Sequence, residues 1–380
     1  MIYRDFKGLK LSGLGLGCMR LPVLDGDEAR VDFARAEQII DYAYAHGVNY
    51  FDTAYAYHGG NSEAVIGRAL AKYPRESFFL ADKFPGYDRG NLGRIDEIFN
   101  EQLRRCGVDY FDFYLCHNVY EPDIDGYLAP EYGLLDYLAE QKRAGRIRHL
   151  GFSCHGALPV LERFLDAGGD RLEFCQIQLN YVDWSLQRAE EKVKLLNSRG
   201  VPVWVMEPVR GGKLASLPEG ARAKLAALRP EESPAGLAFR FLQGVRGVTV
   251  VLSGMSTLEQ VEENVRIWSE DKPLDEAEFE AAAGVGRGLF TEGALPCTAC
   301  RYCVSRCPQG LDIPELLRLY NDYVFSGPRA YHVINVIEAM PEQKRPAACI
   351  ACGSCAGVCP QQLPIPEAFA RFTELLAKEE

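Results

Sequence analysis

Long apolar runs are missing from this 380-residue sequence. No stretch approaches the roughly 18 apolar residues that a membrane-spanning helix requires. The opening residues, Met1-Ile-Tyr-Arg-Asp-Phe-Lys-Gly, carry charge from the fourth position on, which does not suit a secretory signal. Basic residues are the minority: 42 Lys and Arg stand against 53 Asp and Glu, for a net charge of −11. A chain this acidic repels phosphate backbones, so nucleic acid is not an expected partner. Low-complexity segments are absent as well. A secreted disulfide framework also fits poorly: 8 of the 13 cysteines fall in two tight runs, and the other 5 (Cys18, Cys106, Cys116, Cys154, Cys175) are scattered and odd in number. The expectation is a cytoplasmic protein with no membrane span.

What is present is concentrated near the C-terminus. Cys297-x-x-Cys300-x-x-Cys303-x-x-x-Cys307-Pro308 is followed by Cys349-x-x-Cys352-x-x-Cys355-x-x-x-Cys359-Pro360. Each is a complete iron–sulfur ligand run, in which three thiolates grip one cluster and the fourth reaches the other. The expected sets are Cys297, Cys300, Cys303 with Cys359, and Cys349, Cys352, Cys355 with Cys307, holding two [4Fe-4S] clusters. Zinc or disulfides would leave unexplained why a three-residue gap and a trailing proline occur twice. Between the runs lie 41 residues whose apolar positions recur with helical period over 313–323 and 329–339. That pattern points to a mostly helical ferredoxin-like unit.

Ahead of it, short β-branched or aromatic runs alternate eight times with segments of helical period. Strands are expected at 14–18, 49–53, 78–83, 111–117, 149–153, 174–179, 202–206 and 249–252. The clearest helices are expected at 36–46, 62–73, 234–242 and 258–267, with Ser62 as the N-cap of the second. Residues 2–11 suit a hairpin turning at Lys7-Gly8. Eight βα units predict a (β/α)8 TIM barrel. The expected domains are a barrel over 1–285, a linker over 286–295 and a cluster unit over 296–380.

Chemistry in such a barrel sits at the C-terminal ends of the strands. The second strand leads into Asp52-Thr-Ala-Tyr-Ala-Tyr57, the third ends at Lys83 and the fourth at His117. A tyrosine, with a pKa near 10, is a poor acid at neutral pH, and a neighbouring ammonium lowers that value by stabilising the phenolate. Lys83 is the expected neighbour, held by Asp52, with His117 donating a hydrogen bond to a substrate oxygen.

These residues resemble the aldo/keto reductase family, whose signature is matched by Gly47-x-Asn49-x-Phe51-Asp52-Thr53-Ala54-x-x-Tyr57 with the lysine and histidine on the next two strands. The resemblance covers about residues 1–285. It implies a catalytic tetrad of Asp52, Tyr57, Lys83 and His117, a small carbonyl or alcohol as substrate, and NADPH or NADH as cofactor. The implied nicotinamide contacts are Ser153 and Gln176, then Met206 where the family places a stacking aromatic, and Gly254 and Asn264 after the eighth strand. Cys154 replaces the family's asparagine, and no Lys or Arg lies between Arg246 and Arg266 to meet an adenosine 2′-phosphate. Arg210 and Lys213 in the seventh loop suit either an anion or solvent.

A nicotinamide passes two electrons as hydride, whereas a [4Fe-4S] cluster passes one at a time. Three arrangements therefore stay open. In one, a nicotinamide-dependent reductase exchanges electrons with a separate redox protein, a ferredoxin or a flavoprotein, through its clusters. In the others, the clusters feed the substrate directly, or the barrel is a scaffold in an electron-transfer subunit.

Overall fold

The computed structural model describes every residue except 122, 290–293, 296, 298–300, 328–329, 360 and 379–380. Cys300, Pro360 and part of the expected linker thus lie outside the described residues. The chain divides into two compact units, Met1–Ala282 and Ala283–Glu380.

The first unit opens with β1 (Tyr3–Phe6) and β2 (Leu9–Ser12), paired antiparallel with Phe6 opposite Leu9. Lys7 and Gly8 both have positive φ, 51° and 86°, which gives the two-residue turn whose twist matches the strands it joins. Phe6 and Leu11 pack into an apolar cluster with Tyr50, Phe113, Phe174 and Trp204. Asn49 ties the hairpin down, its amide accepting from Ser12 N and donating to Lys10 O. Gly47, at φ 90°, sits where a Cβ would come within 2.6 Å of Tyr3 Oη. Two residues of the family-like signature thus serve the fold, by fastening the hairpin.

Eight parallel strands then close the barrel: β3 (Leu14–Gly17), β4 (Tyr50–Asp52), β5 (Phe79–Phe84), β6 (Phe111–Val119), β7 (Ile147–Cys154), β8 (Cys175–Gln178), β9 (Val203–Met206) and β10 (Val248–Ser253). Each overlaps an expected strand, with ends that differ by a few residues. The four expected helices appear as Phe33–Ala45, Ser62–Leu70, Pro234–Gln243 and Leu258–Trp268. Ser62 is not a cap, however. It is the first residue of its helix and buried, its hydroxyl bonded to Thr53 Oγ1 and to Cys18 O. Among the described residues no helix is long and apolar enough to cross a membrane.

The second unit is helical: Ile313–Ser326, Tyr331–Ala339 and Ile365–Leu376 surround a core of Leu316, Leu317, Tyr320, Tyr323, Phe369 and Phe372. The duplication of the cysteine run extends into the backbone. Short helical turns Val304–Arg306 and Ala356–Val358 occupy the same place in each run, and each run leads to an Ile-Pro helix start, at Ile313 and at Ile365. Arg301 and Gly353 share left-handed φ, 64° and 71°, as do Gly310 and Gln362, 58° and 51°.

Candidate active site and cluster cavities

Side chains along a strand alternate between faces, so Tyr50 and Asp52, Ala81 and Lys83, and Phe113, Leu115 and His117 share the inward face of their strands. Tyr50, Ala81, Phe113 and Leu115 belong to the barrel's apolar core. The three polar residues end the same rows. Register places Asp52 beside Ala81 and Lys83 beside Leu115, which brings the second and third strand ends together.

Lys83 Nζ donates to Asp52 Oδ1 at 2.5 Å, to Thr53 O at 2.7 Å and to Tyr57 Oη at 3.3 Å. Lys83 is wholly buried and Asp52 nearly so. Burial alone would lower the lysine's pKa, but Asp52 and Tyr57 outweigh it and hold Lys83 above its ordinary value, as the ammonium. Burial raises the Asp52 carboxyl, with Lys83 opposing. Tyr57 differs from the sequence-based expectation. The pull of Lys83 is present, but burial is larger and the phenol's pKa lies above 10. Tyr57 therefore holds its proton at neutral pH.

Tyr57 and His117 meet edge to face with ring centroids 5.8 Å apart, and Tyr87 covers His117 in the same manner at 5.3 Å. Burial, reinforced by Lys83, drives the His117 pKa well below 6.5 and keeps the imidazole neutral. Its Nδ1 is buried without a partner. Tyr127 lies outside this group: its hydroxyl, with one proton to give, lies between His117 O and Phe84 O. The loop of Tyr57 turns sharply at His58 and Gly59, φ 54° and 63°, and His58 Nε2 accepts from Leu21 N.

The implied nicotinamide contacts fall on adjacent strand ends. Ser153 lies beside Gln176 in the register and its hydroxyl accepts from Asn118 N at 2.7 Å. Gln176 Nε2 approaches Met206 Sδ at 3.6 Å, while its Oε1 is buried with no donor. A carboxamide N–H is the kind of group that would satisfy that oxygen, so these residues fit a nicotinamide. Asn264 is buried and donates to Ser253 Oγ at 3.0 Å. Arg210 is not available to an anion. It is buried in a bidentate pair with Asp183, with contacts of 2.9–3.1 Å, and Asp183 also accepts from Gln178 and Asn180. A carboxylate 27 residues away gave no sequence signal of that pairing.

Behind Lys83, on the outer face of β5, lies a pair that the sequence did not reveal. Asp82 and Glu63 are both fully buried, Asp82 Oδ1 accepts from Lys83 N at 2.8 Å, and Glu63 Oε2 pairs with Arg105 at 2.9 Å. Glu63 Oε1 has no donor. Burial, and then the facing Glu63 carboxylate, lift Asp82 well above the usual carboxyl range. The only sequence signal was Asp82 itself, a charge next to Lys83 in an otherwise apolar run.

In the second unit the cysteines line two cavities, each with about 320 Å³ of atom-free space open to solvent. Cys349, Cys352, Cys355 and Cys307 share one, backed by Ile313 and Phe369. Cys297, Cys303 and Cys359 share the other, backed by Leu317 and Leu363. Each cavity thus draws its fourth-position thiol from the opposite run. Among the described residues no three such side chains close on a single point that one ion would fill. Thiols spread around an apolar wall suit a cubane, which is itself the body that fills the space.

Comparison with known proteins agrees with this division. The pattern of the Aldo/keto reductase family matches residues 13–286, and that of a 4Fe-4S dicluster domain matches 296–363. L-galactose dehydrogenase of Arabidopsis thaliana is 29% identical over 292 residues, 70% of this chain and 87% of that protein. The NADH-specific methylglyoxal reductase of Escherichia coli is 27% identical over 303 residues, 68% of this chain and 90% of that protein. Among solved structures, the holo form of an aldo-keto reductase from Bacillus halodurans aligns with a TM-score of 0.60 at 29% identity, covering 73% of this chain and 93% of that one.

Proposed function

Because this chain belongs to the aldo/keto reductase family and carries a 4Fe-4S dicluster domain behind its barrel, we propose that the barrel reduces a small carbonyl compound to an alcohol, or runs the reverse, with Tyr57 exchanging the proton. NADH or NADPH, when bound, supplies or accepts the hydride. The observation that carries this reading is Lys83 Nζ lying between Asp52 Oδ1 and Tyr57 Oη.

Tyr57, neutral through burial, gives its proton to the carbonyl oxygen as hydride reaches the carbon, and solvent later reprotonates the phenolate. Lys83 stabilises the negative charge that appears on Tyr57 Oη during that transfer, where a buried ammonium acts more strongly than one in water. Asp52 and Thr53 O hold the ammonium in place. His117, neutral and with one N–H to give, orients the substrate oxygen. The buried acceptor Gln176 Oε1, with Ser153 and Met206, supports nicotinamide binding. The lack of Lys or Arg between Arg246 and Arg266 favours NADH, and the Escherichia coli relative is named as NADH-specific.

The eight cysteines of the two runs hold two [4Fe-4S] clusters, in the crossed sets 297, 300, 303, 359 and 349, 352, 355, 307. They pass single electrons to or from a separate ferredoxin or flavoprotein. Cys154 and Met206, where the family has an asparagine and an aromatic, favour a second reading in which the clusters feed the substrate without nicotinamide.

Anaerobically purified protein, screened with small aldehydes and ketones, tests the first reading. Turnover with NADH or NADPH that disappears in Tyr57→Phe, with iron content unchanged, is expected. Turnover with dithionite and none with NADH or NADPH would establish the second reading in its place, the tetrad then supplying only protons.

A further inference from the structure

In βα barrels an anion-binding site commonly forms between the loops after the seventh and eighth strands. The eighth loop has no Lys or Arg between Arg246 and Arg266. The seventh commits Arg210 to Asp183 and keeps Lys213, exposed at the far end of the turn Arg210–Ala215. A cation that touches both loops comes from the first loop. Arg20, which ends the turn Cys18–Arg20 after β3, lies across both loops. A Cβ at Gly254 would meet Arg20 Cβ at 2.9 Å and its Cγ and Cδ at 3.1 Å. A Cβ at Gly211, itself at φ 62°, would meet Arg20 Nη2 at 2.9 Å. Two glycines, one on each loop, thus leave the space the arginine occupies. Its backbone is fixed to the eighth loop as well, through Ser256 Oγ donating to Arg20 O at 2.7 Å.

The guanidinium is held loosely. Its carboxylate neighbour, Glu207 Oε1, is 3.4 Å from Nη2, longer than a well-made charge-assisted bond, and the Arg20 side chain is 43% exposed. Glu207 sits in the left-handed region at φ 55°, unusual for a residue with a side chain, and its carbonyl accepts from Asn180 Nδ2 and Arg210 N. A planar guanidinium over a glycine-lined gap, with one exchangeable counter-ion, suits a bidentate anion.

We propose that Arg20 binds the diphosphate of the nicotinamide dinucleotide, exchanging Glu207 for it, and so supplies from the first loop the cation that the eighth loop lacks. The inference rests on the nicotinamide reading above and adds a residue to it. No covalent step is involved.

The test is calorimetric titration of the full-length protein, prepared without oxygen, with ADP-ribose and with adenosine at two salt concentrations. Arg20→Gln should weaken ADP-ribose binding at least tenfold and flatten its salt dependence, with adenosine binding and iron content unchanged. Glu207→Gln should tighten ADP-ribose binding, since the competing carboxylate is gone. This second variant serves if the first does not fold. Binding of ADP-ribose by Arg20→Gln as tightly as by the wild type, or no tightening in Glu207→Gln, would overturn the proposal. A wild-type protein that binds neither ADP-ribose nor NADH would overturn the nicotinamide reading and this inference together.

Discussion

Lys83 Nζ stands 2.5 Å from Asp52 Oδ1 in a pocket where neither side chain reaches solvent to any extent. Removing one member of a buried ion pair leaves the other charge uncompensated, which costs about 3–5 kcal/mol. Asp52→Asn should therefore lower stability as well as activity. Lys83→Met strands the Asp52 carboxylate and should lower stability too, and in addition it removes the charge beside Tyr57, with an expected loss of about 10²–10⁴-fold in carbonyl turnover. Thermal unfolding and steady-state kinetics on both variants check this.

The pH dependence follows from the state of Tyr57 and His117. Reduction needs the phenol protonated, and burial places its pKa above 10, so the reductive rate should stay level through neutral pH and fall only on the strongly alkaline side. Oxidation needs the phenolate and should rise with pH over the same range. His117, held neutral by a depressed pKa, contributes stability that is complete above its unfolded value of about 6.5 and declines as pH falls toward its folded value. Rate profiles in both directions, together with His117→Gln, separate the two groups.

Asp82 makes the opposite prediction for stability. An acid whose folded pKa is raised keeps a proton that the unfolded chain releases near pH 4, so the native state loses stability as pH climbs from there toward the folded value. Asp82→Asn needs no proton to face Glu63. Its melting temperature should match wild type at about pH 4, near the unfolded carboxyl value, and exceed it by a margin that grows toward alkaline pH. A margin that is constant across that range would mean that Asp82 does not keep a proton in the folded state.

Glu173 fastens the hairpin to the barrel floor. It pairs with Lys7 at 2.6 Å, with Lys142, and with His149 at 3.1 Å, and although burial opposes it, these partners hold its pKa below 4.5. That stability is present at neutral pH and disappears as pH falls through and below 4.5. Glu173→Gln should cost about 1–3 kcal/mol at neutral pH, the usual penalty for groups left without a buried partner, and the cost should vanish in acid. Denaturant unfolding at two pH values measures it.

Crossed ligation gives a test that pairs cysteines from different runs. Cys307→Ala and Cys355→Ala should remove the same cluster signal, and Cys359→Ala should match Cys303→Ala instead. Iron analysis with low-temperature EPR of the reduced proteins reads this directly. If Cys307→Ala matched Cys303→Ala, each run would be binding its own cluster.

The barrel was legible because most buried strands are short β-branched or aromatic runs, and the second, third and fourth lead into charged or polar residues. Phe111–Val119 and Val248–Ser253 show the first feature, Asp52 and Lys83 the second. The cluster cysteines were legible from spacing alone. What escaped detection depends on through-space partners. Ser62 has the composition of a cap but lies inward against Thr53, and Arg210 has the setting of a solvated loop cation until Asp183 is folded against it. The pKa of Tyr57 also turns on depth of burial, which a charge next to a phenol does not reveal.

The most direct measurement is single turnover under anaerobic conditions, using NADH deuterated at its transferring carbon, a small aldehyde or ketone, and wild-type and Tyr57→Phe proteins side by side. The expected result is an alcohol bearing deuterium on the former carbonyl carbon in the wild type, and no product in the variant. An alcohol without deuterium, formed at the same rate by both proteins, would contradict a tyrosine-assisted hydride transfer in this barrel.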